Sequence, residues 1–205
     1  PWRRLLKVLS RKVITICVSG LSRKLYTSIG FANEHLTVIA NGIEENRYNS
    51  LLKLPFNSFG TTSPMHIGCI ARLSTEKGID VLIDAIAAST NVRCSILGNG
   101  RELHVLQQQV LHWKERGKNL DIIFLDHTKD IVEFYRSIDI LVLPSIRHDP
   151  FGLVAAEAML AGRPVILTNM CGIAEYLHSG EDGIIVDSKS VSALNSSNTP
   201  IRPLW

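Results

Sequence analysis

The chain has 205 residues and a formal net charge of +3, with 45% hydrophobic and 20% charged residues. This balance is typical of a folded globular protein and excludes a disordered one. So small a charge suits a protein that handles an anionic small molecule or lies near an acidic membrane, and no nucleic-acid partner is expected. No apolar run approaches the length of a membrane span, and no secretory signal is visible.

The chain begins with Pro rather than Met, so it is expected to start in the middle of a larger protein. Residues 1–7 are basic and amphipathic, which predicts a solvated helix face, with contact to an anionic bilayer as the alternative. Residues 13–18 and 37–40 predict strands, and residues 22–29 predict a short helix. Residues 1–44 are therefore interpreted as the last elements of an N-terminal domain.

A stretch rich in Asn, Ser, Pro and Gly follows the turn signal Asn41-Gly42, and its residues 45–63 predict a linker between two domains. Over residues 64–187, β-branched apolar runs alternate with helical patterns, which indicates a parallel sheet covered by helices on both faces. The predicted strands are 66–71, 92–97, 122–125, 140–143, 165–167 and 183–186, and the predicted helices 79–88, 102–116, 131–137, 153–160 and 173–177. The fold class is thus α/β, a Rossmann-like doubly wound parallel sheet, followed by an irregular tail at 188–205.

Four cysteines, Cys17, Cys69, Cys94 and Cys171, lie far apart and form no C-x-x-C pair. The first three lie in apolar, strand-like runs, which predicts buried, reduced thiols. This usage is compatible with a cytoplasmic protein and does not indicate a structural zinc site.

The loop after the first strand of the sheet carries Arg72 and Lys77 immediately before a helix. Ligands of open α/β sheets bind where such loops run into helix N-termini. A phosphate at this position would contact both cations and the amide-rich helix end together. The alternative is that both are solvated surface charges.

The next loop, Gly98-Asn99-Gly100, resembles the start of a dinucleotide-binding fingerprint, but its third glycine would fall at Leu103. The same glycines would serve a tight strand-to-helix turn with no ligand. No Gly-Lys-Ser/Thr sequence occurs, which disfavours nucleotide hydrolysis by a P-loop.

The third loop, residues 144–152, runs into a helix and brings two carboxylates near its start, Asp149 and Glu157. Glu157 lies inside an otherwise apolar helix, where a carboxylate is costly unless it is paired or binds a ligand. Asp149 precedes the helix, and capping of the helix N-terminus is its simpler explanation.

Together these motifs resemble the retaining glycosyltransferases of the GT-B fold, family 4. The resemblance runs from about residue 13 to residue 187 and rests on the order and spacing of the motifs: Asn41-Gly42, Arg72 with Lys77-Gly78, Gly98-x-Gly100, Pro144-Ser145, and Asp149-Pro-Phe-Gly-Leu-Val-x-x-Glu157-Ala-Met. It implies that residues 64–187 bind a nucleotide-sugar and that residues 1–44 belong to the acceptor-side domain.

The resemblance also implies roles for individual residues. Arg72 and Lys77 would hold the donor diphosphate, Asp149 the donor-sugar hydroxyls, and Glu157 the ribose. The remaining predicted contacts are backbone amides facing the sugar and phosphate at Phe151, Gly152 and Leu153, and a base-binding loop at Thr128.

The implied reaction is transfer of a hexose from a UDP- or GDP-sugar to a glycan or lipid-linked acceptor, with retention and without a metal. It suggests polysaccharide or glycolipid synthesis in the cytoplasm or at the inner face of the membrane. Because most of the acceptor-side domain is missing, the 205 residues alone are expected not to catalyse sugar transfer. The chain departs from the family at Asp149, where Glu is commoner, and at Ala71 and Cys171, where Gly is frequent.

Three rival interpretations remain. A GT-B-like module that binds a nucleotide or glycan without catalysis is the main one, although Lys77, Asp149 and Glu157 are all present. A nicotinamide-dependent oxidoreductase is disfavoured by Leu103 and by the lack of an acidic residue in a suitable ribose position. A GT-B epimerase would share the fold but not the carboxylate-rich helix segment.

Overall fold

The structure, a computed structural model, describes Val8 and residues 13–55, 64–128 and 130–196. The basic segment 1–7 and residues 197–205 of the predicted tail lie outside these described residues. None of the described helices is long and apolar enough to cross a membrane.

The N-terminal elements are two short parallel strands and a helix. β1 (Thr15–Cys17) pairs with β2 (Leu36–Val38), and α1 (Gly20–Ser28) connects them. The Ser19 hydroxyl accepts a hydrogen bond from the Ser22 amide and so caps α1. The strands and the helix were predicted, although both strands are shorter than their apolar runs.

The predicted linker contains a helix, α2 (Glu45–Leu52). The Glu44 carboxylate accepts hydrogen bonds from the backbone amides of Asn46 and Arg47, and it starts the helix in this way. Leu51 is fully buried, which anchors α2 to the rest of the protein. A linker prediction from polar composition misses such a helix because one apolar side chain and one cap stabilise it. The domain boundaries themselves stay predictions.

Residues 64–186 form one parallel six-stranded sheet with helices on both faces, which confirms the predicted fold class. Its strands are β3 (Met65–Ile70), β4 (Val92–Leu97), β5 (Asp121–Leu125), β6 (Ile140–Leu143), β7 (Val165–Thr168) and β8 (Ile184–Val186). The helices are α3 (Ile79–Ala87), α4 (Leu103–Glu115), α5 (Ile131–Ser137), α6 (Leu153–Leu160) and α7 (Val191–Ser196). The predicted helix at 173–177 is a 3₁₀ helix, Gly172–Tyr176.

The strand order is β5-β4-β3-β6-β7-β8, so the chain builds outward from β3 in one direction and from β6 in the other. Strands β3 and β6 are paired at Ile67 with Ile140 and at Gly68 with Leu141. Connections from the two central strands cross to opposite faces, which opens a crevice at their carboxyl ends. The fold therefore predicts a ligand site between the loops after β3 and β6.

Side-chain alternation along the strands divides the core into two layers. Ile140 and Val142 of β6 pack with α3 and α4, whereas Leu141 and Leu143 pack with α5 and α6. All four cysteines are buried and free, as predicted for three of them. Leu194 of α7 is buried against the core layer that contains α3 and α4, which explains why part of the predicted irregular tail is helical.

Candidate active site

An open cleft of about 780 Å³ lies at the carboxyl edge of the sheet, where the strand order reverses. Its volume is in the range of small-molecule sites. The walls come from the loops after β3, β4, β5 and β6, from the start of α6 and from α2. Of the predicted site residues, the cleft is lined by Arg72, Lys77, Thr128, Asp149, Gly152 and Leu153.

Lys77 and Asp149 form an ion pair across the cleft, with Lys77 Nζ 2.6 Å from Asp149 Oδ2. The Ser145 hydroxyl donates a further hydrogen bond to the same oxygen, at 3.2 Å. Gly78, in the left-handed region with φ of +65°, follows Lys77, and a Cβ there would overlap the carbonyl oxygen of Pro144. This close approach of two loops brings the lysine and the carboxylate together. Any anion that binds Lys77 must compete with Asp149.

Arg72 lies on the cleft wall and is mostly exposed, with 70% of its side chain accessible. It forms an ion pair with Glu76 at 3.3 Å, one helical turn away in sequence. Exposed pairs of this kind are weak, so the guanidinium can leave Glu76 for a ligand at little cost. The structure thus brings both predicted cations to one cleft, with Lys77 held and Arg72 free to move.

Glu157 is buried and does not line the cleft; its side chain is only 5% exposed. Arg47 Nη1 lies 3.0 Å from Glu157 Oε1, and the Tyr135 hydroxyl donates to Oε2 at 2.8 Å. Burial, and then the charge of Glu157, raise the pKa of Tyr135 well above its usual range, so the phenol stays neutral and donates. The carboxylate that sequence reasoning left without a structural explanation is therefore fully paired.

The sequence analysis missed Arg47 and Tyr135, the two partners of Glu157. The sequence held one indication of Arg47. A buried carboxylate requires a cationic partner, and Arg47 is one of the two basic residues in the predicted linker, the other being Lys53. No comparable signal marks Tyr135, whose contact with Glu157 depends on how α5 packs against α6.

The N-terminus of α6 points into the cleft without a side-chain cap. Gly152 is the cap residue, in the left-handed region with φ of +88°, and no side chain accepts from the first amides. Asp149 does not cap α6, because its carboxylate is bound to Lys77 and Ser145. The free amide end is suited to an anion. Phe151, whose backbone was predicted to face the donor, is buried, and it lines a separate apolar groove beside α6.

The Gly98-Asn99-Gly100 loop forms another wall of the cleft. It is a tight strand-to-helix turn, which was the predicted alternative to a dinucleotide-binding motif. A Cβ at Gly98 would overlap the carbonyl oxygen of Ala71, and one at Gly100 would overlap that of Leu73. Asn99 Nδ2 donates to Asp126 Oδ1 at 2.6 Å, which ties this loop to the loop that carries Thr128.

Among the described residues, no group of three or more His, Cys, Asp or Glu side chains is placed to hold a metal ion. The charged side chains that line the cleft are Arg47, Arg72 and Lys77 among the cations, and Asp126 and Asp149 among the carboxylates.

A parallel sheet with a charged cleft at its switch point defines an α/β ligand-binding domain. The chain belongs to the glycosyl transferases group 1 family, whose family model matches residues 57–197. It is 30% identical over 185 residues to the glycogen synthase of Mycobacterium tuberculosis, covering 87% of this chain and 42% of that protein. It is 34% identical over 142 residues to the D-inositol 3-phosphate glycosyltransferase of Corynebacterium glutamicum, covering 63% of this chain and 34% of the relative.

Solved structures of glycosyltransferases share the fold. The structure of Anabaena HepE in complex with UDP and glucose matches with a TM-score of 0.79 at 25% identity, covering 96% of this chain and 56% of that one. A C-terminal domain of a glycosyl transferase group 1 family protein from Francisella tularensis matches with a TM-score of 0.59 at 26% identity, covering 76% of this chain and 81% of that chain. The chain thus spans about half the length of the larger relatives.

Proposed function

We propose that this chain is the donor-binding part of a retaining, metal-independent glycosyltransferase of family 4 that uses a UDP- or GDP-sugar. The observation that carries the proposal is the Lys77–Asp149 pair, 2.6 Å apart in a cleft at the switch point of the sheet. One partner suits a phosphate and the other suits sugar hydroxyls, so a nucleotide-sugar can satisfy both at once. The presence of UDP and glucose in the related HepE structure supports this assignment.

The proposed chemistry follows from where negative charge develops. When the sugar–phosphate bond breaks, the leaving nucleoside diphosphate gains charge, and Lys77, Arg72 and the uncapped N-terminus of α6 stabilise it. Together these groups would supply the positive charge that a metal ion would otherwise supply. Asp149, released from Lys77, would orient the sugar hydroxyls around an oxocarbenium-like transition state. Retention of the anomeric configuration is proposed from the family resemblance.

The acceptor is proposed to be a glycan or a lipid-linked sugar, and the reaction to take place in the cytoplasm or at the inner face of a membrane. Four free, buried thiols support a reducing compartment. We further propose that the 205-residue chain binds the donor without transferring its sugar, as expected for a chain that spans about half of its relatives. Measurable transfer by the purified chain would overturn this part of the proposal.

Calorimetric titration of the purified chain with UDP, GDP, UDP-glucose and GDP-mannose, with and without EDTA, tests the proposal. At least one nucleotide-sugar is expected to bind, unaffected by EDTA, and Lys77→Ala is expected to weaken it by about tenfold or more because a charge-assisted contact is lost. Lys118→Ala, at an exposed lysine outside the cleft, is the matched control. Absence of binding in the folded wild type, or equal binding by Lys77→Ala, would refute the proposed site.

A further inference from the structure

Arg47, and not its partner Glu157, is exposed to the cleft. Arg47 lines the cleft with 44% of its side chain exposed, whereas the side chain of Glu157 is 5% exposed and lies behind it. A ligand that enters the cleft therefore meets the arginine first.

The position of Arg47 is fixed from three sides. Its backbone amide donates to the Glu44 carboxylate at the start of α2, and Leu51 in the last turn of α2 is fully buried. Its guanidinium is held by Glu157 Oε1 at 3.0 Å, while Tyr135 occupies Oε2. A long side chain held in this way loses little freedom when it binds a ligand, because its orientation is already set.

The surroundings of Arg47 suit the nucleoside and not the diphosphate. Arg47 reaches α6 one turn beyond its uncapped end, since Glu157 follows Leu153 by four residues on the same helix face. On this wall of the cleft, Val154 lies one turn before Glu157 on α6 and Ile131 lies one turn before Tyr135 on α5; both are partly buried and apolar, and Thr128 lies on the loop before α5. The phosphate-binding candidates, Arg72 and Lys77, come from a different loop, the one after β3.

We propose that Arg47 is a donor-binding residue that contacts the nucleoside end of a nucleoside diphosphate, with its guanidinium N–H groups donating to ribose hydroxyl oxygens and Glu157 serving as its orienting counter-ion. This inference rests on the proposed function, because it requires a nucleoside diphosphate in the cleft. It assigns a role in donor recognition to the predicted linker, from which no site residue was expected.

Binding of UDP, GDP and inorganic pyrophosphate to the wild type and to Arg47→Gln and Lys77→Ala separates the two ends of the ligand. Arg47→Gln is expected to weaken UDP and GDP by about tenfold and to leave pyrophosphate unchanged. Lys77→Ala is expected to weaken all three. Arg136→Gln is the matched control, because Arg136 also pairs with a glutamate but lies outside the cleft.

Two further variants protect the test against misfolding. Arg47→Lys keeps the charge beside Glu157 and is expected to bind UDP with an affinity between those of the wild type and Arg47→Gln. The double variant Arg47→Gln/Glu157→Gln leaves no unpaired buried charge, so it should fold and show the same loss of UDP affinity as Arg47→Gln.

Unchanged or tighter UDP binding by Arg47→Gln would overturn the inference while leaving the proposed function intact, and tighter binding would show that Arg47 blocks the cleft. An equal loss of UDP and pyrophosphate would also overturn it, because Arg47 would then act through general charge. A wild type that binds pyrophosphate but neither UDP nor GDP would refute both the nucleoside contact and the proposed use of a UDP- or GDP-sugar, and one that binds none of the three would refute the proposed site as a whole.

Discussion

Lys77 and Asp149 stand 72 residues apart in sequence, yet the ammonium and the carboxylate meet at 2.6 Å across the cleft. The pair joins the loop after β3 to the loop after β6. The carboxylate occupies the position next to the lysine that a phosphate would take. On the proposed function, donor binding would therefore be an exchange of partners for both residues rather than the filling of an unpaired site.

Asp149→Asn is expected to tighten UDP binding by roughly threefold to tenfold, because the variant frees Lys77 from its ion pair and removes a charge that repels the diphosphate. Any preference for UDP-glucose over UDP should fall in the same variant. Titration calorimetry measures both effects. Asp80→Asn, at an exposed position in α3, serves as the control. Weaker UDP binding by Asp149→Asn would contradict the exchange of partners.

Tyr135→Phe is expected to destabilise the protein by about 1–3 kcal/mol, since one oxygen of the buried Glu157 loses its hydroxyl donor. Urea denaturation followed by circular dichroism gives the change in the free energy of unfolding. Tyr48→Phe, at a tyrosine that is 44% exposed, should change it by much less. The loss should shrink in a Glu157→Gln background, and full additivity of the two changes would argue against the contact.

His66 is expected to make the protein less stable in mild acid. Its Nδ1 lies 2.6 Å from the Ser137 carbonyl oxygen and its Nε2 lies 2.8 Å from the Ser95 hydroxyl, so a neutral ring donates through Nδ1 and accepts through Nε2. Burial, and then the charge of Arg93, lower the pKa of His66 below its ordinary value of 6.5. Because the unfolded chain binds the proton more readily, the stabilisation from neutral His66 is present above pH 6.5 and is lost as the pH falls towards the folded-state pKa.

The measurement is urea denaturation at several pH values between about 7.5 and 5. His66→Gln should lower the free energy of unfolding at neutral pH and should flatten its fall in acid. His104→Gln, at an exposed histidine of α4, should leave the profile unchanged. If His66→Gln has the same slope as the wild type, protonation of this histidine is not part of the acid response.

Gly98→Ala is expected to cost about 1–3 kcal/mol more than Gly117→Ala. Both glycines have positive φ, +144° and +80°, so both substitutions strain the backbone. Only the Cβ at position 98 would overlap another atom, the carbonyl oxygen of Ala71, whereas nothing lies within 4 Å of a Cβ at position 117. Thermal unfolding of the two variants compares them directly. Equal losses would mean that the Ala71 and Gly98 loops can separate freely.

The sheet and most of its helices could be predicted because their signal is local. Two predicted helices, 131–137 and 153–160, coincide with α5 (Ile131–Ser137) and α6 (Leu153–Leu160), since α5 carries apolar residues at helical spacing and α6 is apolar apart from Glu157. The loops that carry Arg72 and Asp149 followed from the rule that ligands bind at the carboxyl ends of parallel strands. Their meeting in one cleft depends on the strand order, which places β6 beside β3.

The remaining parts of the site depend on contacts between segments that are distant in sequence. Arg47 and Glu157 are 110 residues apart, and the first half of the helix that carries Arg47 is polar apart from Tyr48. Local composition therefore predicted a linker where the structure has one wall of the cleft. The partners of Glu157 could not be predicted for the same reason, although its place in an apolar helix could be seen in the sequence.

The reversal of strand order places the seam between the two halves of the sheet at the pairing of β3 with β6. Strand β3 pairs with β4 from Met65 to Ile70 and with β6 at Ile67 and Gly68, and the backbone amide of Asp139 extends the second junction by donating to the His66 carbonyl oxygen. Each half of the sheet carries one member of the Lys77–Asp149 pair, so a ligand that binds both loops spans this seam from outside. On the proposed function, amide hydrogens along β6 are expected to exchange more slowly when UDP is bound, because the ligand would link the two halves of the sheet.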